Sequence, residues 1–138
     1  AYKTNGNKKD ERRKIKDTAK AIAKESEEAI IIGFDKHDSY YTGISYLFAK
    51  PEFHNADFMH DISAVIDRLD EIMSDLWKDA GDAVNVLIGS DNNFSPNCTL
   101  LVAKCGASKN KLLGLLGPMR MNYKHNIALL RSTQRILL

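Results

Sequence analysis

The chain has 138 residues, of which 43% are hydrophobic and 28% are charged, a composition typical of one globular domain. No segment approaches the roughly 18 consecutive apolar residues of a transmembrane helix, and the polar N-terminus lacks the apolar stretch of a secretory signal. We therefore expect a cytoplasmic domain without membrane association. Cys98 and Cys105 fit a reducing cytoplasm as buried thiols; on an unbroken strand they would face opposite sides, and a disulfide would need a turn between them.

The net charge of +2 is distributed unevenly along the chain. Residues 52–91 contain ten acidic and two basic residues, whereas residues 92–138 contain seven basic and no acidic residues. Segments of opposite sign can attract each other within one fold or across a dimer. Alternatively, each segment supplies the solvated face of its own helices. The acidic segment argues against this domain as the main nucleic-acid surface.

The first part of the chain predicts a long helix followed by two strands. Residues 1–9 are polar, and we expect them to be disordered. Residues 10–28 carry apolar side chains at helical spacing, namely Ile15, Ala19, Ile22 and Ala23. The β-branched run at residues 29–34 predicts a buried strand, and residues 40–42 predict a second strand after a turn.

Two helices are predicted next. Residues 44–49 predict a short helix that ends before Pro51, because proline disfavours helical backbone in the residue before it. A long amphipathic helix is then predicted from a cap at Asn55 or Asp57 to about Lys78. Its apolar residues recur in steps of three and four, which is typical of a helix face that packs on a core or on a partner helix.

The last part of the chain predicts three strands and a helix. The strands are predicted at residues 83–88, 98–105 and 111–116, with a loop at 90–97 and a turn at 106–110. That turn is too short for a parallel crossover, so the last two strands predict a hairpin. A final helix is predicted from Met121 or Asn122 to the C-terminus. The fold class is therefore α+β, an antiparallel sheet packed with helices and preceded by a long N-terminal helix.

No motif for catalysis, a cofactor or a metal is found. The run Gly114-Leu-Leu-Gly lacks the Lys and Ser or Thr of a P-loop and the third Gly of a dinucleotide fingerprint. The histidines are scattered along the chain. A metal site of His54, His60, Asp57 and Asp61 is conceivable. However, His60 and Asp61 are adjacent on the predicted helix, so their side chains point about 100° apart. No nucleophile elbow marks a catalytic serine. We expect no cofactor, no metal and no enzymatic activity.

A Gly-Pro pair ends the last predicted strand. Pro118 removes a backbone donor and Gly117 can adopt conformations that other residues avoid, so the chain must turn here. Arg120 follows near a helix N-terminus, where a positive charge is mildly unfavourable. We interpret Arg120 as holding the turn through a salt bridge to Glu52 or to the acidic helix, as contacting an anion or partner, or as a solvated side chain.

The segment Pro51-Glu-Phe is the second unusual place in the sequence. Phe53 follows a short helix where the chain reverses, and we predict that it fills the core rather than contacting a ligand. Glu52 can accept backbone hydrogen bonds or pair with Arg120.

At these two places the sequence resembles the HrcA family of heat-inducible transcription repressors. Three runs carry the resemblance: Tyr41 to Phe53 (Tyr-Thr-Gly-Ile-Ser-Tyr-Leu-Phe-Ala-Lys-Pro-Glu-Phe), Val86 to Gly89 (Val-Leu-Ile-Gly) and Gly114 to Leu130 (Gly-Leu-Leu-Gly-Pro-Met-Arg-Met-Asn-Tyr-Lys-His-Asn-Ile-Ala-Leu-Leu). The motif residues that we assign a structural or partner-contact role are Gly43, Pro51, Glu52, Phe53, Gly117, Pro118, Arg120 and Tyr123.

The resemblance implies a GAF-like regulatory and dimerisation domain over residues 29–138, with residues 1–28 as a polar tail and connector helix. Members of the family are dimeric cytoplasmic repressors of chaperone operons. They bind an inverted-repeat operator through an N-terminal winged helix and depend on a GroEL-type chaperonin for active folding. We therefore expect a homodimer involved in the heat-shock stress response.

The chain departs from the family pattern in two ways. Residues 1–28 are too few for a winged helix, so operator binding would need residues that this sequence does not contain. The dimerisation segment that longer members carry before the first motif run is also missing. The alternative function is a GAF-like small-molecule sensor, which a roomy apolar pocket with convergent polar groups would support.

Overall fold

The computed structural model describes residues 2–89, 96–106 and 110–136, and it describes side chains from Lys9 onward, except that of Asp79. The predicted loop at 90–97 and turn at 106–110 therefore lie largely outside the described residues. The elements in chain order are α1 (Tyr2–Ser26), β1 (Ala29–Asp35), β2 (Asp38–Thr42), α2 (Ile44–Phe48), a short 3₁₀-helix (Pro51–His54), α3 (Ala56–Asp67), α4 (Leu69–Asp79), β3 (Asn85–Ile88), β4 (Cys98–Cys105), β5 (Lys111–Pro118) and α5 (Tyr123–Ile136). This confirms the predicted α+β class with a long N-terminal helix.

The strands form one antiparallel sheet in the order β2-β1-β5-β4-β3. The predicted hairpin of β4 and β5 is confirmed, with Cys98 opposite Pro118 at one end and Cys105 opposite Lys111 at the other. The central strand β5 is two residues longer than predicted, because Gly117 and Pro118 still lie opposite β4. The motif residues 117 and 118 therefore belong to the sheet and not to the turn after it.

Each face of the sheet is covered by helices, and side chains alternate between the two faces. Ile30 and Ile32 pack in a core with α1 and α5, whereas Ala29 and Ile31 pack in a core with α2, the 3₁₀-helix, α3 and α4. Cys98 and Cys105 fall in different cores, are both buried, and are not joined by a disulfide. The prediction that an unbroken strand would separate the two cysteines is confirmed.

The prediction of one continuous helix from residue 55 to Lys78 is wrong, because the helix is interrupted at Arg68. Asn55 caps α3, since its side chain accepts a hydrogen bond from the Asp57 N–H at 2.8 Å. A straight helix over this segment would be about 35 Å long, whereas five strands span only about 25 Å. The interruption lets Val65 of α3 and Met73 of α4 reach the same core.

The helices of opposite charge lie on opposite faces of the sheet. Residues 56–79, which form α3 and α4, contain seven acidic and two basic residues. Residues 9–26 of α1 and residues 123–136 of α5 together contain ten basic and four acidic residues. Layers about 20 Å apart are separated by more than the screening length of physiological salt. Attraction between the acidic and basic segments within one chain is therefore weak.

The N-terminal helix begins earlier than predicted, because the backbone is helical from Tyr2. The expectation of disorder over residues 1–9 is wrong for residues 2–9. The predicted apolar face is confirmed, since Ile15, Ala19, Ile22 and Ala23 are all buried in the core beside β1 and β5. Of the helices that the structure describes, none combines the length and the hydrophobicity that a membrane-spanning segment requires.

The turn from α1 into β1 requires an unusual backbone conformation at Glu27. Its φ is 56°, and it is the one non-glycine residue with positive φ among the described residues. Its N–H donates to the Ala23 carbonyl at 2.8 Å and so closes the helix. This left-handed position after a helix is usually occupied by glycine, because a Cβ is disfavoured there by about 1 kcal/mol.

We expect Glu27→Gly to raise the free energy of unfolding by about 0.5 to 1 kcal/mol, because glycine removes the strain of the left-handed backbone. Urea unfolding followed by circular dichroism measures the change. The matched control is Glu27→Ala, which removes the same charge but keeps the Cβ and should give a smaller gain. An equal gain in both variants would show that the charge of Glu27 is the cause, and not its backbone.

Candidate functional site

The candidate site is built around a buried carboxylate at the junction of α1 and β1. Glu28 follows the left-handed turn at Glu27, and its side chain is 2% exposed. A buried carboxylate is costly unless it is paired. The Lys50 Nζ lies 2.6 Å from Glu28 Oε1 and provides that pairing. The end of α1 is thereby held to the segment between α2 and the 3₁₀-helix.

The second oxygen of Glu28 lies against the backbone of Gly117. Glu28 Oε2 has no hydrogen-bond partner among the described residues. A Cβ added to Gly117 would overlap this oxygen and would also lie 2.7 Å from Glu28 Cδ and 2.9 Å from Met121 Cε. The absence of a side chain at Gly117 is therefore what leaves room for the Glu28 carboxylate, and this is a close-packing role rather than a conformational one.

Gly43 is needed on the other side of Glu28. It lies at the start of α2 with a φ of 85°, a region that disfavours other residues. A Cβ on Gly43 would lie 2.6 Å from the Glu28 carbonyl oxygen and 2.8 Å from the Ala23 Cβ. The two motif glycines thus lie against the same residue, one at its backbone and one at its side chain.

A second ion pair lies beside the first. Arg120 donates to Glu52 Oε1 at 2.9 Å, and the Arg120 side chain is 75% exposed. Because solvent screens such an exposed pair, it contributes little to stability. Of the alternatives that the sequence left open for Arg120, the structure therefore has the salt bridge to Glu52. We call Glu28, Lys50, Glu52 and Arg120 together the Glu28 cluster.

The charges of the cluster act on one another. Burial raises the pKa of Glu28 to about 6, although the hydrogen bond and charge of Lys50 lower it; the negative charges of Glu52 and Glu27 raise it further. Burial also raises the pKa of Glu52, but the hydrogen bond from Arg120, together with backbone bonding and the Lys50 charge, brings it below its ordinary value. The cluster therefore contains one carboxylate that titrates near neutral pH beside one that stays ionised.

The remaining motif residues hold the turn around the cluster. The Tyr123 hydroxyl donates to the Met119 carbonyl and lies 3.0 Å from the buried Thr99 hydroxyl of β4. Phe53 is buried in the core and contacts Phe58 edge to face, with ring centroids 5.6 Å apart.

The two proline motif residues mark the ends of elements. Pro51 opens the 3₁₀-helix, and Pro118 is the last residue of β5. The two main motif runs, distant in sequence, therefore meet at one end of the sheet.

The sequence predicted neither Glu28 nor Lys50 as a site residue. Lys50 lies inside a motif run, and Glu28 directly precedes a buried strand, which is an unusual place for an acid. Among the described residues, no group of three or more His, Cys, Asp or Glu side chains is placed to hold a metal ion. The cluster also lacks a nucleophile beside a general base, so its arrangement suits holding elements together.

Comparison with known proteins gives a family and a set of relatives. The family model described as the HrcA protein C terminal domain matches residues 2–127. A heat-inducible transcription repressor HrcA from Oceanobacillus iheyensis is 32% identical over 97 residues, which cover 67% of this chain and 28% of that protein. The repressor of the same name from Clostridium tetani is 26% identical over 109 residues, covering 76% of this chain and 30% of that protein.

The chain therefore spans less than a third of the length of these curated relatives. One solved structure, titled as a hypothetical protein at 2.2 Å resolution, is similar over 72% of this chain and 30% of that chain, with a TM-score of 0.57 and 14% identity. At this identity the likeness supports the fold alone.

We expect Gly117→Ala to lower the free energy of unfolding by about 2 to 3 kcal/mol, because its Cβ would displace the buried Glu28 carboxylate. Gly114→Ala on the same strand is the matched control, since the nearest atom to its Cβ would be Leu100 Cδ1, at 3.6 Å. Chemical denaturation measures both. In a Glu28→Ala background the cost of Gly117→Ala should fall by at least about 1 kcal/mol. Equal costs in the two backgrounds would show that Glu28 is not the obstructing group.

We expect the Glu28 carboxylate to titrate with a pKa of about 6, which ¹³C NMR of the side chain measures directly. The pKa in the folded protein lies above the unfolded value of 4.5, so the folded state binds more protons between these two pH values. Relative to Glu28→Gln, the stability of the native chain should therefore fall by about 2 kcal/mol as the pH rises through this window, and should stay level above it. A midpoint below the ordinary value would mean that the Lys50 ion pair outweighs burial.

Proposed function

Because the chain belongs to the HrcA C-terminal domain family, we propose that it is the regulatory and dimerisation domain of a heat-shock repressor of chaperone operons. The observation that carries this proposal is the family match over residues 2–127, which includes the whole Glu28 cluster. The relatives are named heat-inducible transcription repressors, and repression of transcription needs no catalytic group. The Glu28 cluster accordingly serves structure and regulation.

Operator recognition in this proposal belongs to a winged helix outside the described residues. The acidic surface of α3 and α4 would repel DNA, so this layer is unsuited to reading an operator. The relatives are more than three times as long as the matched segment, which leaves room for a separate reading domain. A two-fold dimer would match an inverted-repeat operator by symmetry.

The Glu28 cluster supports a regulatory role because it links α1 to both motif runs. Glu28 binds Lys50 of the first run, and its carboxylate lies against Gly117 of the last run. Loosening the cluster would free the end of α1 from the neighbouring strands β1 and β5. Under this proposal α1 is the connector to the operator-reading domain. A conformational change in the folded domain would therefore reach the reading domain as a change in the position of α1.

Two partners complete the proposal. A second copy of the chain forms the dimer, and a GroEL-type chaperonin assists folding in the cytoplasm. A repressor whose active fold depends on a chaperonin would lose activity when heat-damaged proteins occupy that chaperonin. Chaperone genes would then be expressed until the chaperonin is free again.

Dimerisation is tested by light scattering of the isolated chain at micromolar concentration. We expect a mass of about 31 kDa, twice the 15.5 kDa of one chain. A strictly monomeric chain at the highest soluble concentration would overturn the dimerisation part.

The repressor part is tested in the source organism by deleting the gene. We expect chaperone-operon transcripts to rise at normal growth temperature, because repression would be lost. Complementation with the native gene should restore repression and is the control. Unchanged transcripts after deletion would overturn the proposal.

A further inference from the structure

Helix α1 carries a row of basic side chains that the proposed function does not use. We call it the basic stripe, and it consists of Lys9, Arg13, Lys16, Lys20 and Lys24. Successive members are four, three, four and four residues apart, so they lie along one side of the helix. Lys16 is half-buried and the other four are exposed. The stripe extends about 22 Å along the helix axis, with a positive charge about every 5 to 6 Å.

The acidic residues of α1 lie outside the stripe, and two of them face other basic groups. Glu11 pairs with Lys111 at 3.6 Å, and Glu25 lies 3.9 Å from the His125 Nε2. Asp17 borders a groove of about 320 Å³ that is otherwise lined by the basic residues Lys9, Arg12, Arg13, Lys16 and Lys20. Arg13, Lys20 and Lys24 form no ion pair with any side chain that the structure describes.

The hairpin of β1 and β2 holds the stripe in place. The Arg12 guanidinium donates to both Asp38 carboxylate oxygens, at 2.5 and 2.9 Å, and stacks over Phe34 at 4.0 Å. Lys16 lies over the Tyr40 ring at 5.0 Å. The charge of Arg12, which is not part of the stripe, is neutralised by these contacts. The contacts also fix the rotation of α1 about its axis, so that the exposed members of the stripe face solvent as a preformed surface.

We propose that the basic stripe binds the phosphate backbone of duplex DNA without reading its sequence. DNA presents one negative charge per about 1.7 Å of its axis, so a straight row of cations can contact several phosphates at once. The acidic layer of α3 and α4 lies on the far side of the sheet. Binding through the stripe therefore directs the repelling surface away from DNA and selects one orientation of the domain.

A second copy of the chain fits the stripe less well. Two stripes facing each other across a two-fold axis would repel. If the stripe of one copy binds the acidic layer of another, the contact is head-to-tail. Each pair then keeps one unoccupied stripe and one unoccupied acidic layer, so further copies add to the ends and form open chains rather than a closed dimer. The observations therefore favour a nucleic-acid partner.

The inference rests on the proposed function only for its biological use. In the full-length repressor, the stripe would add affinity for DNA while the winged helix recognises the operator sequence. Binding of DNA is measured on this chain directly, by fluorescence anisotropy with a labelled duplex of about 25 base pairs and arbitrary sequence. With about four phosphates neutralised, affinity should fall roughly 100-fold between about 50 mM and 200 mM salt.

The decisive comparison is between two triple variants with the same change of net charge. Lys9→Gln, Arg13→Gln and Lys20→Gln together remove three exposed members of the stripe, and glutamine keeps the helix propensity. Lys124→Gln, Arg131→Gln and Arg135→Gln together remove three exposed charges from α5. We expect the stripe variant to lose at least about tenfold in affinity at low salt and about three units of salt slope, and the α5 variant to keep the native slope.

Three results would overturn the proposal: no binding of the native chain at low salt, equal loss in both triple variants, or low-salt oligomers that the stripe variant abolishes. The last result would identify a second copy as the partner. Circular dichroism of both variants confirms that they fold. Failure of the repressor assignment is distinguishable, because it appears as unchanged chaperone transcripts while DNA binding by the stripe persists.

Discussion

The placement of one buried carboxylate constrains much of this structure. Glu28 lies where α1 enters β1, and burying its charge requires a cation, which Lys50 supplies. Its bulk excludes a side chain at Gly117, and its carbonyl excludes one at Gly43. Residues that are far apart in sequence are therefore restricted by a single group. The family motifs and the structural restrictions coincide at this point.

The cost of this arrangement is distributed over neighbouring residues. Glu27 adopts a left-handed backbone, and one oxygen of Glu28 lacks a described hydrogen-bond partner. Both features disfavour the folded state. The junction is therefore held by an ion pair while it carries local strain.

The sheet separates two electrostatic surfaces, and this separation shapes how the domain can meet its partners. The five strands lie between the basic α1 and α5 on one face and the acidic α3 and α4 on the other. A polyanion meets attraction on one face and repulsion on the other. The orientation that a polyanion would favour is thus a property of the layer arrangement and not of any single residue.

The sequence by itself determined the α+β class, the β4–β5 hairpin and the buried face of α1, because periodicity and turn length are local properties. It identified the family through runs that include Gly43 and Gly117, but it left the partner of Arg120 open. Only the tertiary structure decided three matters: the interruption at Arg68, the opposite placement of the charged helices, and the burial of Glu28 against Gly117. Each depends on which elements meet across the sheet, and strand register between distant segments cannot be read from local pattern.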